Sequence, residues 1–254
     1  MDSNITEPRD SARNTAIIIG ASGGLGAGFA KILTTDAAFQ SKNNQIYSQI
    51  LSFSRKPAND REQVIDYADE STIDRSASWA AEQCQSAHLR LLIIATGYLH
   101  SNGNGPERSL QHLDMAYLQQ VMLVNAIGPA LILKHFVPLF PKSGDVRIAF
   151  ISAKVGSIGD NALGGWYGYR AAKAALNQIV KTASIELTRR NNQSICVALH
   201  PGTVTTVLSE PFSKSGLNVR SPEVAAQELL NVVHNLDPSQ TGRFYDYKGD
   251  SIVW

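Results

Sequence analysis

Hydrophobic residues form short runs that alternate with segments of helical spacing along nearly the whole chain. The runs predict strands at Ala16–Ile19, Ile46–Phe53, Gln63–Ile65, Leu89–Ala95, Val146–Ser152 and Ile195–Leu199. The helical segments are Leu25–Thr34, Ser71–Ser86, Met115–Phe140 with a bend at Pro129, Tyr167–Arg189, and Pro222–Asn235 with Ser221 as its N-cap. Because strands and helices alternate, we expect a single-domain Rossmann-type α/β fold: a doubly wound parallel sheet with helices on both faces.

Composition and charge narrow the possible partners and compartments. The net charge of +1 gives no reason to expect a nucleic acid or an anionic membrane as a partner. The longest apolar stretch, Val121–Leu133, is too short to span a bilayer, and the polar start of the chain does not resemble a signal peptide. Cys84 and Cys196 are interpreted as core thiols and not as a disulfide or a metal site. We expect a cytoplasmic protein with a polar tail at 1–14, one domain at 15–254, and no metal.

A glycine-rich segment joins the first predicted strand to the first predicted helix. It reads Gly20-Ala21-Ser22-Gly23-Gly24-Leu25-Gly26. Gly20 permits a tight turn, Gly24 lets backbone N–H groups approach a pyrophosphate, and Gly26 lets helix and strand pack closely. The helix N-terminus also favours an anion. Glycines alone are a weak signal, but a loop that opens a βαβ pattern favours a dinucleotide site.

Tyr169 and Lys173 lie four residues apart, on one face of a predicted helix. Of the eight tyrosines, only Tyr169 has a lysine at this spacing. A nearby positive charge is expected to lower the phenol's pKa from its usual value of about 10. Such a phenol can give a proton to a carbonyl oxygen or take one from an alcohol. The alternative is an ordinary surface pair.

Together the Gly-xxx-Gly-x-Gly loop and the Tyr-xxx-Lys pair resemble the short-chain dehydrogenase/reductase family. Gly164–Arg170 and Gly242–Tyr247 resemble its C-factor-like and sniffer-like carbonyl reductase branch. Two positions depart from the family pattern: Ile19 stands where a threonine is usual, and Ala95 replaces a structural asparagine. The resemblance implies an enzyme that moves a hydride between a nicotinamide dinucleotide and a carbonyl or alcohol.

The resemblance assigns catalysis to Tyr169, Lys173, Asn125 and a serine, with Asn125 helping to hold a water that links the lysine to solvent. The family's serine lies three residues before a glycine, and counting back from Gly156 gives Ala153. Ser152 lies one residue earlier, and a shift of one residue on a regular strand turns a side chain to the opposite face. We choose Ser152, with Ser157 as a second candidate. The alternative for Ser152 is a strand-end serine with local hydrogen bonds only.

The resemblance also implies the residues that contact the cofactor. They are Gly20, Ser22, Gly23, Gly24, Leu25, Gly26, Ser54, Arg55, Asp66, Tyr67, Ala95, Thr96, Gly97, Tyr169, Lys173, Pro201, Gly202, Val204 and Thr206. The second strand ends in Ser54-Arg55-Lys56, without the acid that NAD-preferring members use for the ribose. A guanidinium suits a 2′-phosphate. We therefore expect NADP(H) in preference to NAD(H), although solvated loop cations are the alternative.

Function, substrate and assembly are the remaining expectations. The leading hypothesis is an NADPH-dependent carbonyl reductase or alcohol dehydrogenase, and the alternative is a dinucleotide-binding signalling or scaffold protein with vestigial catalysis. Apolar residues in the loop from Thr206 to Arg220 suggest an apolar small-molecule substrate; they are Leu208, Pro211, Phe212 and Leu217. The helices after Met115 and Tyr167 are apolar on more than one side. By resemblance, they pair across a twofold axis, so we expect a homodimer or homotetramer.

Overall fold

A computed structural model of the chain describes residues 14–35, 47–57, 62–84, 88–101, 105–209 and 219–254. Its strands are β1 Asn14–Ile19, β2 Tyr47–Ser54, β3 Glu62–Val64, β4 His88–Ile94, β5 Val146–Ile151, β6 Ser194–His200, β7 Thr203–Val204, β8 Val219–Arg220, β9 Phe244–Asp246 and β10 Ser251–Ile252. Its α-helices are α1 Gly24–Thr35, α2 Glu70–Gln83, α3 Met115–Met122, α4 Gly128–Phe136, α5 Tyr167–Arg190 and α6 Pro222–Asn235.

Eight strands form one sheet in the order β10-β9-β6-β5-β4-β1-β2-β3. All neighbours are parallel except β9 and β10, which are antiparallel. The chain runs outward from β1 to β3 and then returns to β4 on the other side of β1. This reversal is the topological switch point of a doubly wound sheet, where ligands bind at the carboxyl ends of the strands.

Helices cover both faces of the sheet, and alternate residues of each strand belong to different core layers. Ile18 packs with α1 and α6 side chains such as Phe29 and Leu230, all 1% exposed or less. Ile17, its neighbour, packs on the other face with Ile132 of α4. Burial on both faces explains why the strands are continuous hydrophobic runs. The predicted fold class is confirmed, and Ser221 caps α6 by accepting from the Val224 N–H as expected.

The predicted long helix contains an irregular turn where only a bend is expected from the sequence. A π-helical turn, Leu123–Ile127, joins α3 to α4, and the Gly128 N–H bonds to the Leu123 carbonyl. Pro129 has no N–H to donate to the carbonyl of Asn125, so the regular bonding pattern cannot continue there. The whole segment Met115–Leu139 is long and apolar enough to cross a bilayer by length and composition alone. Core helices pass the same test, and Ile132 and Phe136 of this segment are fully buried in the core.

Several boundaries differ from the expectations. β5 ends at Ile151 and not at Ser152, and the short strands β7 to β10 are additional. Residues 1–13 of the polar tail lie outside the described residues, as do Pro211, Phe212 and Leu217. The division into a tail and one domain stays a prediction.

Candidate active site

A cleft of about 770 Å³ opens at the carboxyl ends of the parallel strands. Almost all of the predicted cofactor residues line it, with Gly26 as the exception: Gly20, Ser22, Gly23, Gly24, Leu25, Ser54, Arg55, Asp66, Tyr67, Ala95, Thr96, Gly97, Tyr169, Lys173, Pro201, Gly202, Val204 and Thr206. The sequence therefore identifies the wall of one continuous space, although these residues come from segments far apart in the chain.

The glycine loop is shaped by close backbone approach. Gly20 has a φ of +89°, which favours glycine. A Cβ at Gly26 would lie 2.1 Å from the Gly20 carbonyl oxygen, so this glycine serves packing and not the cleft wall. Helix α1 starts at Gly24 without an acidic residue in its first turn. The N–H groups of its first turn and the positive end of its dipole therefore favour binding of a phosphate.

The part of the cleft that follows β2 and β3 is lined by a cation and a carboxylate. Arg55 is exposed and lines the cleft. Asp66 also lines it, and its carboxylate accepts from the Ala68 N–H at 3.0 Å. Glu62 of β3, which no pattern in the sequence indicates, accepts a hydrogen bond from the Ser54 hydroxyl at 3.0 Å through its carboxylate. Glu62 is engaged with Ser54 and is not part of the cleft wall.

Tyr169 and Lys173 lie on the inner face of α5, at the bottom of the cleft. Tyr169 is 7% exposed and Lys173 is 2% exposed. The Lys173 Nζ donates to the Ile151 carbonyl at 2.9 Å and lies 5.7 Å from the centre of the Tyr169 ring. The Trp166 indole and the Tyr169 ring pack edge to face, with the ring centres 6.2 Å apart. The pair is therefore a buried part of the cleft and not a surface pair.

Burial, and not the pairing, dominates the titration of these two groups. It lowers the pKa of Lys173 to about 7 and raises the pKa of Tyr169. The expected lowering of the phenol's pKa is therefore wrong for this geometry. With this pKa, Lys173 is protonated in only a fraction of the molecules at neutral pH. Its Nζ is directed to a backbone carbonyl and not to the phenol oxygen. Tyr169 accordingly stays protonated at neutral pH and can act as a proton donor.

Asn125 is fully buried in the π-helical turn and ties that turn to the segment after β4. Its Oδ1 accepts from the Tyr98 N–H at 3.1 Å, and its Nδ2 donates to the Tyr98 carbonyl at 2.8 Å. The side chain is not part of the cleft wall. It therefore fixes the segment that follows Gly97.

Of the two serine candidates, only Ser152 lines the cleft. Its hydroxyl donates to Asn177 Oδ1 at 2.7 Å, and both residues are buried. Ala153 packs with the cluster around Tyr169. Ser157 is 1% exposed, and its Oγ accepts from the Asp160 N–H. Ser152 can still accept a hydrogen bond, but its proton is directed to Asn177, a residue that no pattern in the sequence indicates.

The cleft around Tyr169 is apolar and aromatic. Side chains from separate segments form this part of its wall: Tyr98, Leu99, Ala153, Val155, Trp166 and Leu208. His200 at the end of β6 also lines the cleft, and burial lowers its pKa to about 4. The imidazole is therefore neutral at neutral pH, and it adds no charge to the cleft.

The sequence is similar to one enzyme family and to several curated proteins. The model of the short chain dehydrogenase family matches residues 14–215. C-signal of Myxococcus xanthus is 32% identical over 146 residues, which cover 58% of this chain and 84% of that protein. An uncharacterized oxidoreductase of Saccharomyces cerevisiae is 29% identical over 263 aligned positions, covering 96% of this chain and 99% of that protein.

Solved structures share the fold. The NADPH-bound carbonyl reductase from chicken fatty liver is similar with a TM-score of 0.80 and 23% identity, over 96% of this chain and 99% of that chain. The carbonyl reductase Sniffer of Drosophila melanogaster gives a TM-score of 0.79 and 22% identity, over 96% of this chain and 100% of that chain.

Proposed function

This chain belongs to the short-chain dehydrogenase family, and from that premise we propose that it is an NADPH-dependent carbonyl reductase that also catalyses the reverse alcohol oxidation. The observation that carries the proposal is the position of Tyr169 and Lys173, which are buried at the bottom of a cleft that continues to the glycine loop. The proton donor and the predicted dinucleotide-binding residues line the same cleft. This arrangement suits hydride transfer that is coupled to proton transfer.

Each residue has a role that follows from its surroundings. A bound dinucleotide would supply the hydride to the carbonyl carbon. Tyr169 donates its phenolic proton to the carbonyl oxygen, because burial keeps the phenol protonated. Lys173, with a pKa of about 7, can exchange protons near neutral pH and return one to the phenolate. Ser152 has its hydroxyl proton directed to Asn177, so we assign it to holding the strand end and α5 together.

Similar proteins support the reductive direction and the cofactor. Two structures of the same fold are described as carbonyl reductases, and one of them is NADPH-bound. In this chain Arg55, directly after β2, lines the cleft, while the Glu62 carboxylate is bound to Ser54. We propose that Arg55 contacts the 2′-phosphate of NADPH, because a guanidinium can bind a phosphate through two hydrogen bonds.

Arg55→Ala is expected to raise the Kd of NADPH at least about tenfold and to change the Kd of NADH little, since only NADPH has the 2′-phosphate. Lys56→Ala is the matched control, because Lys56 is the next exposed cation and lies outside the cleft wall. Titration of each variant with both dinucleotides checks the prediction. An equal loss for NADPH and NADH would contradict the role of Arg55.

The aromatic wall around Tyr169 supports an apolar carbonyl substrate. Tyr98, Trp166 and Leu208 offer planar and aliphatic surface at the position where a substrate would face the phenol. The direct test of the function is consumption of NADPH by the purified protein with a panel of aldehydes, ketones and quinones. Turnover of apolar members above that of small polar ones supports the proposal, and no turnover with any member would overturn it.

A second candidate function is dinucleotide binding for signalling with vestigial catalysis. Similarity to C-signal favours it, as does Ala153 at the position where the family has its serine. Buried Tyr169 and Lys173 in the cleft weigh against it, because a binding protein does not need a buried ionisable pair. The same panel separates the two: NADPH binding without consumption would support the signalling protein.

For the assembly we propose a homodimer or homotetramer in which α4 and α5 contact their copies. Ile127, directly before α4, and Ile185 of α5 are apolar side chains that are 48% and 47% exposed. The partly exposed Ala175 offers a small side chain for close helix approach. Light scattering that gives the mass of a 27.5 kDa monomer would contradict the proposal.

A further inference from the structure

The helix that carries Tyr169 and Lys173 begins without a cap from its own sequence. Trp166, at the N-cap position of α5, has a left-handed backbone with φ 55° and ψ 41°, and its side chain makes no capping hydrogen bond. Within the described parts of the chain, no other non-glycine residue has a positive φ. The first turn of a helix leaves N–H groups without an intrahelical acceptor. Gly168 in this first turn is buried, so the acceptor for its N–H has to come from elsewhere in the fold.

Glu107, which lies in the segment before α3, supplies that acceptor. Its two carboxylate oxygens accept from the Gly168 N–H at 3.2 and 3.1 Å. The Glu107 backbone carbonyl also accepts from the Trp166 N–H at 2.6 Å. Glu107 is 3% exposed, and no cationic side chain forms an ion pair with it in the part of the chain that the structure describes. Its electrostatic partner is thus the positive end of α5.

Gly168 is shaped for this contact. A Cβ at this position would lie 2.9 Å from Glu107 Oε1 and 2.9 Å from Leu118 Cδ2. A side chain at 168 would therefore displace the carboxylate or the leucine. Because Gly168 immediately precedes Tyr169, the carboxylate holds the backbone one residue before the phenol.

We propose that Glu107 is a positioning residue: by bonding to Gly168 it fixes the first turn of α5 and so directs Tyr169 into the cleft. The inference rests on the proposed function, in which the phenol is the proton donor. A serine or an aspartate at position 166 would be the usual cap. That position instead holds a tryptophan that lines the cleft. The first turn of α5 is therefore capped by Glu107, which lies outside the helix.

Glu107→Ala is expected to lower kcat about tenfold or more, because small displacements of a reacting group are costly, while the Kd of NADPH stays within about twofold. Glu107→Gln keeps an acceptor oxygen at the same reach and should restore kcat to within about threefold of wild type. Asp237→Ala is the control, since it removes another carboxylate cap, at Pro238–Gln240 and outside the cleft. A wild-type kcat in Glu107→Ala, or a glutamine variant as defective as the alanine variant, would overturn the proposal.

Gly168→Ala gives an independent test, because helix propensity and the proposal predict different results for this variant. Alanine is favoured over glycine in a helix, so helix propensity alone predicts an equally stable or more stable protein with unchanged kcat. The proposal predicts a lower kcat, since the Cβ displaces the Glu107 carboxylate. Because the Glu107 part of the clash is absent once the carboxylate is removed, the double variant Glu107→Ala/Gly168→Ala should lose less kcat than the product of the two single losses. Losses that multiply would contradict a shared mechanism.

A measurement that needs no turnover separates this inference from the proposed function. Hydrogen exchange at the backbone amides of residues 166–170 should be faster in Glu107→Ala than in wild type, and unchanged in Asp237→Ala. If wild type reduces no carbonyl but exchange accelerates as expected, the cap stands and the proposed function fails. If wild type is an active reductase but neither exchange nor kcat changes in Glu107→Ala, the function stands and this inference fails.

Discussion

Tyr169→Phe is expected to lower kcat for carbonyl reduction by about a hundredfold or more, with the fold and the Kd of NADPH unchanged. The change removes one oxygen from a side chain that lies 7% exposed at the bottom of the cleft. Among the hydrogen bonds of the described residues, none involves the Tyr169 hydroxyl, so its removal breaks no hydrogen bond within this part of the protein. The loss should therefore appear in the proton-transfer step and not in stability. Steady-state kinetics and a dinucleotide titration on the same preparation measure both quantities.

Tyr98→Phe is the matched control for that experiment. Tyr98 also lines the cleft, but its hydroxyl donates to the Ser101 Oγ at 2.9 Å at an exposed position. Its removal should change kcat by no more than about threefold. Near-normal turnover in Tyr169→Phe, or an equal loss in both variants, would show that the phenol of Tyr169 is not the proton donor.

The sequence predicts the fold well because its main signals are local. Alternating strand and helix patterns require only the periodicity of neighbouring residues, and β1, α1 and α6 follow those patterns closely. The glycine loop is also predictable from local sequence, because Gly26 lies too close to the Gly20 carbonyl for any side chain. These features depend on residues within one turn or one loop of each other.

The features that the sequence does not predict depend on contacts between distant segments. Glu107 and Gly168 are 61 residues apart in the chain, and no local pattern connects them. The contact of Ser54 with Glu62 likewise needs the pairing of β2 and β3. The sign of the pKa change at Tyr169 is missed for the same reason, since the i, i+4 spacing shows the lysine but not the burial of both groups.

Lys173→Met is expected to lower kcat by about a hundredfold or more and to weaken dinucleotide binding as well. Methionine has a similar length but cannot donate a proton, and it leaves the Ile151 carbonyl without the donor that lies 2.9 Å away. Lys181→Met is the control, because Lys181 lies on the same helix and is exposed. Full turnover in Lys173→Met would remove the lysine from the proposed proton path.

The same pair of variants predicts a distinctive dependence of stability on pH. Burial lowers the pKa of Lys173 from 10.5 to about 7 in the folded protein. Between these two pH values the unfolded chain binds a proton at Lys173 that the folded protein does not, so the wild-type free energy of unfolding should rise with pH. Below the folded pKa both states are protonated, and this contribution no longer changes.

Lys173→Met lacks this titration, so its stability relative to wild type should be greatest near pH 7 and should decline toward pH 10. The change in the difference is expected to be on the order of a few kcal/mol, because one pKa unit corresponds to about 1.4 kcal/mol. Urea unfolding of wild type, Lys173→Met and Lys181→Met at several pH values in this interval measures it. In Lys181→Met the difference should stay flat, because that side chain is exposed. A flat difference for Lys173→Met as well would mean that Lys173 stays protonated in the folded protein, and its proposed proton exchange near neutral pH would then be wrong.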